Sequence, residues 1–240
     1  MQCKSILKKA LKITVLAISL SAISLEAPYA HQRYIRNIAE RSVVQIYGQE
    51  GTGTGSHVKL PDGRIVILTN KHICDMTGPL MVKGEGNPLP IARKVIEISK
   101  DHDLCAIEAL PDHKAISIGS DPVIGDELYT LGHPRGEALN VAKGEYFDDK
   151  EIQIGELAPA DGCKEGKLVT EQSFFGPMSF CVISRNAIEL SSPTYPGNSG
   201  SPVLNKYGHL VALIFAGNNK VENMGLAAPL SYIKEFLGSL

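Results

Sequence analysis

The sequence predicts an all-β protein, and three observations carry that reading. Short apolar, β-branched runs recur at 42–47, 64–69, 91–98, 104–109, 126–131 and 210–216, with turn signals between them. The chain holds 23 glycines and 14 prolines, which break it into short segments. Helical periodicity is confined to the ends: Tyr34, Ile35, Ile38 and Ala39 before the first strand, and Tyr232, Ile233, Phe236 and Leu237 near the last residue. Ser231 is placed to cap that final helix, and Pro229 to end the strand before it. Evenly spaced strands fit a sandwich or a barrel. A length of 240 residues accommodates one domain or a pair of small barrels packed together. Neither a solenoid-period repeat nor a low-complexity tract is present.

The first thirty residues read differently from the rest. Lys4, Lys8, Lys9 and Lys12 precede the apolar segment Ile13 to Leu25, which runs into Ala27-Pro28-Tyr29-Ala30. A basic start, an apolar centre and small residues at the end are the layout of a secretory signal peptide over residues 1–30. Thirteen residues fall short of the ~20 that a membrane-spanning helix needs. Pro28 is awkward three residues before a cut after Ala30, so a retained anchor stays open beside cleavage near His31. The expectation is export to a periplasmic or extracellular space, with no membrane contact for the mature chain unless the leader is kept. Net charge is −2, which leaves no basic patch for nucleic acid.

Three separate segments carry chemistry. Residues 64–74, RIVILTNKHIC, form a β-branched strand that stops at Thr69-Asn70 and delivers His72 on a short turn. Residues 101–109, DHDLCAIEA, set Asp103 at the entrance of another apolar strand, with Asp101 a rival two residues earlier. Residues 196–203, PGNSGSPV, put Ser199 on a glycine-flanked turn before a further strand. A serine hydroxyl attacks a carbonyl only when a base takes its proton and donors hold the new negative charge. Gly197 lets the backbone bend so that its own N–H and that of Ser199 converge on one oxyanion position. The chain order His72, Asp103, Ser199 is that of chymotrypsin-like enzymes, not of subtilisins or α/β-hydrolases.

The segments Ile38–Ile46, Gly51-Thr52-Gly53-Thr54-Gly55-Ser56, Pro61-Asp62-Gly63, Thr69-Asn70-Lys71-His72, Gly132-His133-Pro134 and Gly225-Leu226-Ala227-Ala228-Pro229 resemble the protease domain of the HtrA (DegP-like) trypsin-fold peptidases. The resemblance covers roughly 36–145 and 190–240. It implies two six-stranded antiparallel β-barrels with a short C-terminal helix: an N-terminal barrel over 31–124 carrying His72 and Asp103, and a C-terminal barrel over 125–240 carrying Ser199. It implies a serine endopeptidase with a polypeptide substrate, an acyl-enzyme intermediate and no cofactor. The PDZ domains of that family are not expected in a chain ending at Leu240. Asn198 stands where digestive proteases carry an aspartate, so activation by pairing with a newly cut amine is not expected. Residues 146–188 match no part of the family and read as an exposed hairpin or lid. The same fold with a latent or vestigial triad would serve as a protein-binding, chaperone-like module instead.

With the leader removed, four cysteines remain, and sequence alone leaves three pairings or four free thiols open. The resemblance favours Cys74–Cys105 within the first barrel and Cys163–Cys181 within the unmatched region. It also sets Pro193 at the floor of the substrate pocket, with Ile214, Phe215, Ala216, Gly217 and Gly225 as walls. No carboxylate or histidine is among them, so small-to-medium apolar side chains are the expected preference. The glycine-rich run 51–56 lacks the Lys-Ser/Thr of a phosphate loop, and the seven histidines show no zinc-binding spacing, so no metal is expected.

Overall fold

The structure is a computed structural model describing residues 30–157, 162–163, 166–173, 176–217 and 223–240. The leader, apart from Ala30, lies outside the described residues. A helix over 30–39 (α1) precedes the strands β1 (Val43–Tyr47), β2 (Thr52–Lys59) and β3 (Ile65–Thr69), then a one-turn helix α2 (Lys71–Cys74). The strands β4 (Leu80–Gly84), β5 (Ile91–Arg93), β6 (Val95–Ile98) and β7 (Cys105–Glu108) complete a first antiparallel sheet in the order β5-β4-β1-β2-β3-β7-β6. A second contains β8 (Glu127–Gly132), β9 (Asn140–Leu157), β10 (Lys167–Ser173), β11 (Gly176–Leu190), β12 (Pro202–Asn205), β13 (Leu210–Gly217) and β14 (Gly225–Pro229). Helix α3 (Leu230–Gly238) closes the chain.

Each sheet has seven strands where six were expected, and each extra strand has a local cause. In the first, the run 91–98 breaks at Lys94; its front half pairs with β4 and its back half with β7, closing the ring through one kinked segment. In the second, β9 pairs with both β8 and β11, so β8, β9, β11, β14, β13 and β12 form a ring of six, and β10 is added outside on β11. Within 146–188, β9, β10 and β11 thus build an antiparallel ribbon, the hairpin expected there with one strand more. Cys163 bonds to Cys181 at its side, and Cys74 to Cys105 in the first sheet. In the chain-entropy picture each such link contributes about 3 kcal/mol or more.

Continuous apolar runs arise because many strands bury both faces. Side chains alternate across a strand: Val44, Ile46, Ile67 and Ile107 fill the first barrel, while Val43, Val66, Leu68 and Ala106 turn outward. Those outward residues meet Tyr129, Leu131, Leu204 and Leu213 of the second sheet in a shared core, capped by Ile35 and Ala39 of α1 and Ile233, Phe236 and Leu237 of α3. Ser231 is not the cap of α3: the helix starts one residue earlier, and Pro229 holds the N-cap position with no side-chain bond. The apolar demand to bury Leu230 extends the helix past the serine.

His57 on β2 is fully buried and hydrogen-bonded at both ring nitrogens. Nδ1–H donates to the Ser42 carbonyl at 3.0 Å, and Nε2 accepts the Leu110 N–H at 3.0 Å. Burial is the main force holding its pKa down at about 4, with His113 and Arg93 adding to it against the Ser42 bond. The folded chain therefore excludes a proton that the unfolded chain takes up below about 6.5. Stability is full above that pH and falls as pH drops toward about 4, by up to roughly 3 kcal/mol. Urea midpoints across pH 4–7 should show this loss in wild type and a flatter profile in His57→Gln.

Candidate active site

The end of β3 turns directly into α2, and that corner presents His72 to solvent. Its imidazole Nδ1 lies 2.8 Å from Asp103 Oδ2, and its backbone N–H donates to Asp103 Oδ1 at 3.0 Å. A carboxylate oxygen only accepts, so Nδ1 carries the proton and Nε2 is the basic nitrogen. The side chain of Asp103 is 12% exposed and that of His72 46%. Burial pushes the Asp103 carboxyl upward, but the hydrogen bonds and charge of His72, with Arg185 further off, overcome it and hold the group below the ordinary carboxylate range. Asn70 Nδ2 donates to the Asp103 carbonyl at 3.0 Å, locking the two loops together. Asp101, the rival carboxylate, sits exposed on the preceding turn.

The turn carrying Ser199 is held from several sides. Asn198 N–H donates to the Tyr195 carbonyl at 3.0 Å, with Pro196 and Gly197 (φ 94°) between them, the arrangement of a type II turn. Gly200 (φ 82°) can be no other residue, since a Cβ there would strike the Thr54 carbonyl and Thr69 Oγ1. Gly200 N–H donates to the Ile214 carbonyl at 2.8 Å, and Ile214 N–H to the Ser201 carbonyl at 2.9 Å. Because Gly200 lies against Thr69, three residues before His72, the serine turn abuts the corner that carries the imidazole.

Thr54 on β2, fully buried, ties these parts together and was not singled out as a site residue from the sequence. Its N–H donates to the Ser199 carbonyl (2.8 Å), and its hydroxyl to the Gly197 carbonyl (2.8 Å). The hydroxyl accepts from His133 N–H (3.0 Å), and the Thr54 carbonyl accepts from Thr69 Oγ1 (2.7 Å). The clue in the sequence was the small-residue run 51–56, whose lack of bulk lets the serine turn approach β2.

The Pro196–Gly197 peptide is oriented by Arg135. That residue takes a left-handed conformation (φ 55°, ψ 21°), directs its N–H to the Pro196 carbonyl at 2.6 Å, and sets its guanidinium 4.6 Å over the Tyr195 ring. With the carbonyl fixed toward Arg135, the Gly197 N–H faces the opposite way. Among the described residues, Gly197 N–H and Ser199 N–H donate to no protein acceptor, whereas those of Asn198, Gly200 and Ser201 are all used.

Of the pocket candidates, Gly217 and Gly225 converge on one residue, Thr194. A Cβ at Gly225 would lie 2.6 Å from Thr194 Oγ1 and 3.3 Å from Ile214 Cδ1, and one at Gly217 3.3 Å from the Thr194 carbonyl. Pro193 and Ala216 are half-buried nearby in sequence. Phe215 is placed elsewhere: its side chain lies in the core between the sheets, on the face of β13 that it shares with Leu213, while Ile214 faces the other way. Beyond Ile214, residues 215–217 have a strand on the β14 side, while β12 on the other side has ended at Pro202. Among the described residues no group of three or more His, Cys, Asp or Glu side chains could hold a metal ion.

Known proteins share this fold. The family model for the trypsin-like peptidase domain matches residues 53–213, more than half of the chain. The chain is 25% identical over 193 residues to the serine protease Do-like HtrA of Bacillus subtilis, covering 78% of this chain and 38% of that protein. It is 24% identical over 199 residues to a serine protease HtrA-like of Staphylococcus aureus, covering 80% of this chain and 24% of that one. The chain thus spans well under half the length of these relatives. A protease of M. tuberculosis in its active form superposes with a TM-score of 0.66 at 17% identity, over 84% of this chain and 81% of that one. An HtrA-type protease bound to a tripeptide gives 0.65 at 18% identity, over 87% and 62%. The chain belongs to the trypsin-like peptidase domain family.

Proposed function

We propose that this protein is a serine endopeptidase that hydrolyses polypeptides through His72, Asp103 and Ser199. The observation that carries the reading is the 2.8 Å contact between His72 Nδ1 and Asp103 Oδ2, at the corner that abuts the Ser199 turn. Ser199 Oγ attacks the scissile carbonyl while His72 Nε2 takes its proton. Asp103 keeps the imidazole in the required tautomer and stabilises the imidazolium. The Gly197 and Ser199 N–H groups receive the oxyanion, a contribution of roughly 3 kcal/mol to the barrier for each donor. His72 then protonates the leaving amine, the peptide's C-terminal half departs, and water attacks the acyl-serine by the reverse relay.

Substrate binds as an added strand along residues 215–217. Its side chain enters between Gly217 and Gly225 onto Thr194, a small uncharged slot that takes small-to-medium apolar residues. Export by the leader fits the reading, since a chain with two disulfides suits an oxidising compartment. Fractionation and the mass of the mature N-terminus check it.

Fluorophosphonate should label wild type but not Ser199→Ala. Absence of labelling in both would favour a catalytically silent binding module instead. Asp103→Asn should lower kcat by about 10⁴ with the fold intact, and peptide-library cleavage should cluster after Ala, Val and similar residues. Thr54→Val keeps the volume but strands the Gly197 carbonyl and His133 N–H, at about 2 kcal/mol or more of stability. Its kcat should fall with KM little changed, and Thr54→Ser should restore both.

A further inference from the structure

His72 rides on a helix of a single turn, a unit too short to hold its own shape. Its N-cap, Asn70, makes no side-chain capping bond. Besides the Asn70–Asp103 hydrogen bond, two things anchor the turn beneath the imidazole: Ile73, buried in the first barrel, and Cys74, bonded to Cys105. The positions of these cysteines mirror each other. Cys74 lies two residues after His72, and Cys105 two residues after Asp103. His72, Ile73 and Cys74 on one side, and Asp103, Leu104 and Cys105 on the other, form a small ring closed at one end by a covalent bond and at the other by the His72–Asp103 hydrogen bonds.

The covalent end of the ring is rigid. Cys105 is fully inaccessible and Cys74 nearly so, packed with Val44, Ile67, Ile107 and Leu110, and β7 is fastened to β3 on one side and β6 on the other. The opposite end is wet, with almost half of the imidazole exposed, so water competes there for the carboxylate. We propose that the Cys74–Cys105 disulfide is a positioning element of the His72–Asp103 pair, holding α2 so that the imidazole stays registered on its carboxylate. The proposal rests on the peptidase reading for its kinetic consequence only; the registration itself belongs to the fold. Cys163–Cys181 binds the ribbon and takes no part in this ring, so it serves as the internal control for stabilisation without registration.

The test compares Cys74→Ala/Cys105→Val, which refills the lost volume, with Cys163→Ala/Cys181→Ala, each at a temperature where circular dichroism reports a folded chain. Cys74→Ser/Cys105→Ser replaces the first variant if it does not fold. In a Ser199→Ala background, proton NMR reads the low-field His72 Nδ1–H resonance directly. Loss of the first link should broaden or abolish it, while loss of the second leaves it sharp. In the Ser199 background, kcat/KM should fall about 10- to 100-fold with KM nearly constant. The acid limb of its pH profile should move to lower pH, because the carboxylate no longer stabilises the imidazolium. A merely stabilising bond would move neither resonance nor limb, and that result overturns the proposal. A wild type without peptidase activity would sink the reading of the previous subsection and leave the resonance to decide this one.

Discussion

The contact between β2 and the serine turn, made through Thr54, is the constraint on which the arrangement depends. One residue of the first sheet grips two carbonyls of the second, Ser199 and Gly197, while holding Thr69 beside it and His133 beyond. The apolar core that the two sheets share is non-directional, and by itself would tolerate a small slide. Hydrogen bonds under a shared core do not, because each atom that moved would be left unpaired in a dry interface. The shared core brings the two halves together, and Thr54 sets their register.

The polar groups here divide by how they are neutralised. His57 is kept uncharged by deep burial with both nitrogens satisfied, a purely architectural use of histidine. Asp103 is mostly buried, yet it is kept charged, because the hydrogen bonds and charge of His72 outweigh the cost of leaving water. Two titratable groups in similar surroundings thus end in opposite states, and the difference lies in their partners rather than in their depth.

Much of the fold was legible in the strands, because β-branched runs broken by glycine and proline have few other solutions, and the runs 64–69, 104–109 and 126–131 lie within a residue of the observed elements. What escaped was set by tertiary context. The break at Lys94 reflects pairing of one segment with two different neighbours, which no local pattern encodes. The ribbon of β9, β10 and β11 was anticipated as an exposed hairpin, but not its third strand. Ser231 satisfied the capping rule and was overridden by the burial of Leu230. At the site, His72, Asp103 and Ser199 stood out because their chemistry is rare at strand ends. Thr54 and Thr194 did not, because a threonine among small residues looks like filler until a second segment arrives beside it. Phe215, expected as a pocket wall, shares the inter-sheet face of β13 with Leu213, a facing that only the packing of the second sheet on the first reveals.

On the proposed mechanism the relay is divided unequally between the two sheets: His72 and Asp103 belong to the first, and Ser199 to the second, nearly a hundred residues downstream of Asp103. A polypeptide still being synthesised carries a ready imidazole with nothing to activate, and a partly unfolded molecule whose halves have separated carries an inert serine. In the peptidase reading, hydrolytic power belongs to the docked whole and to neither half, so a nascent or half-opened copy cannot cut anything.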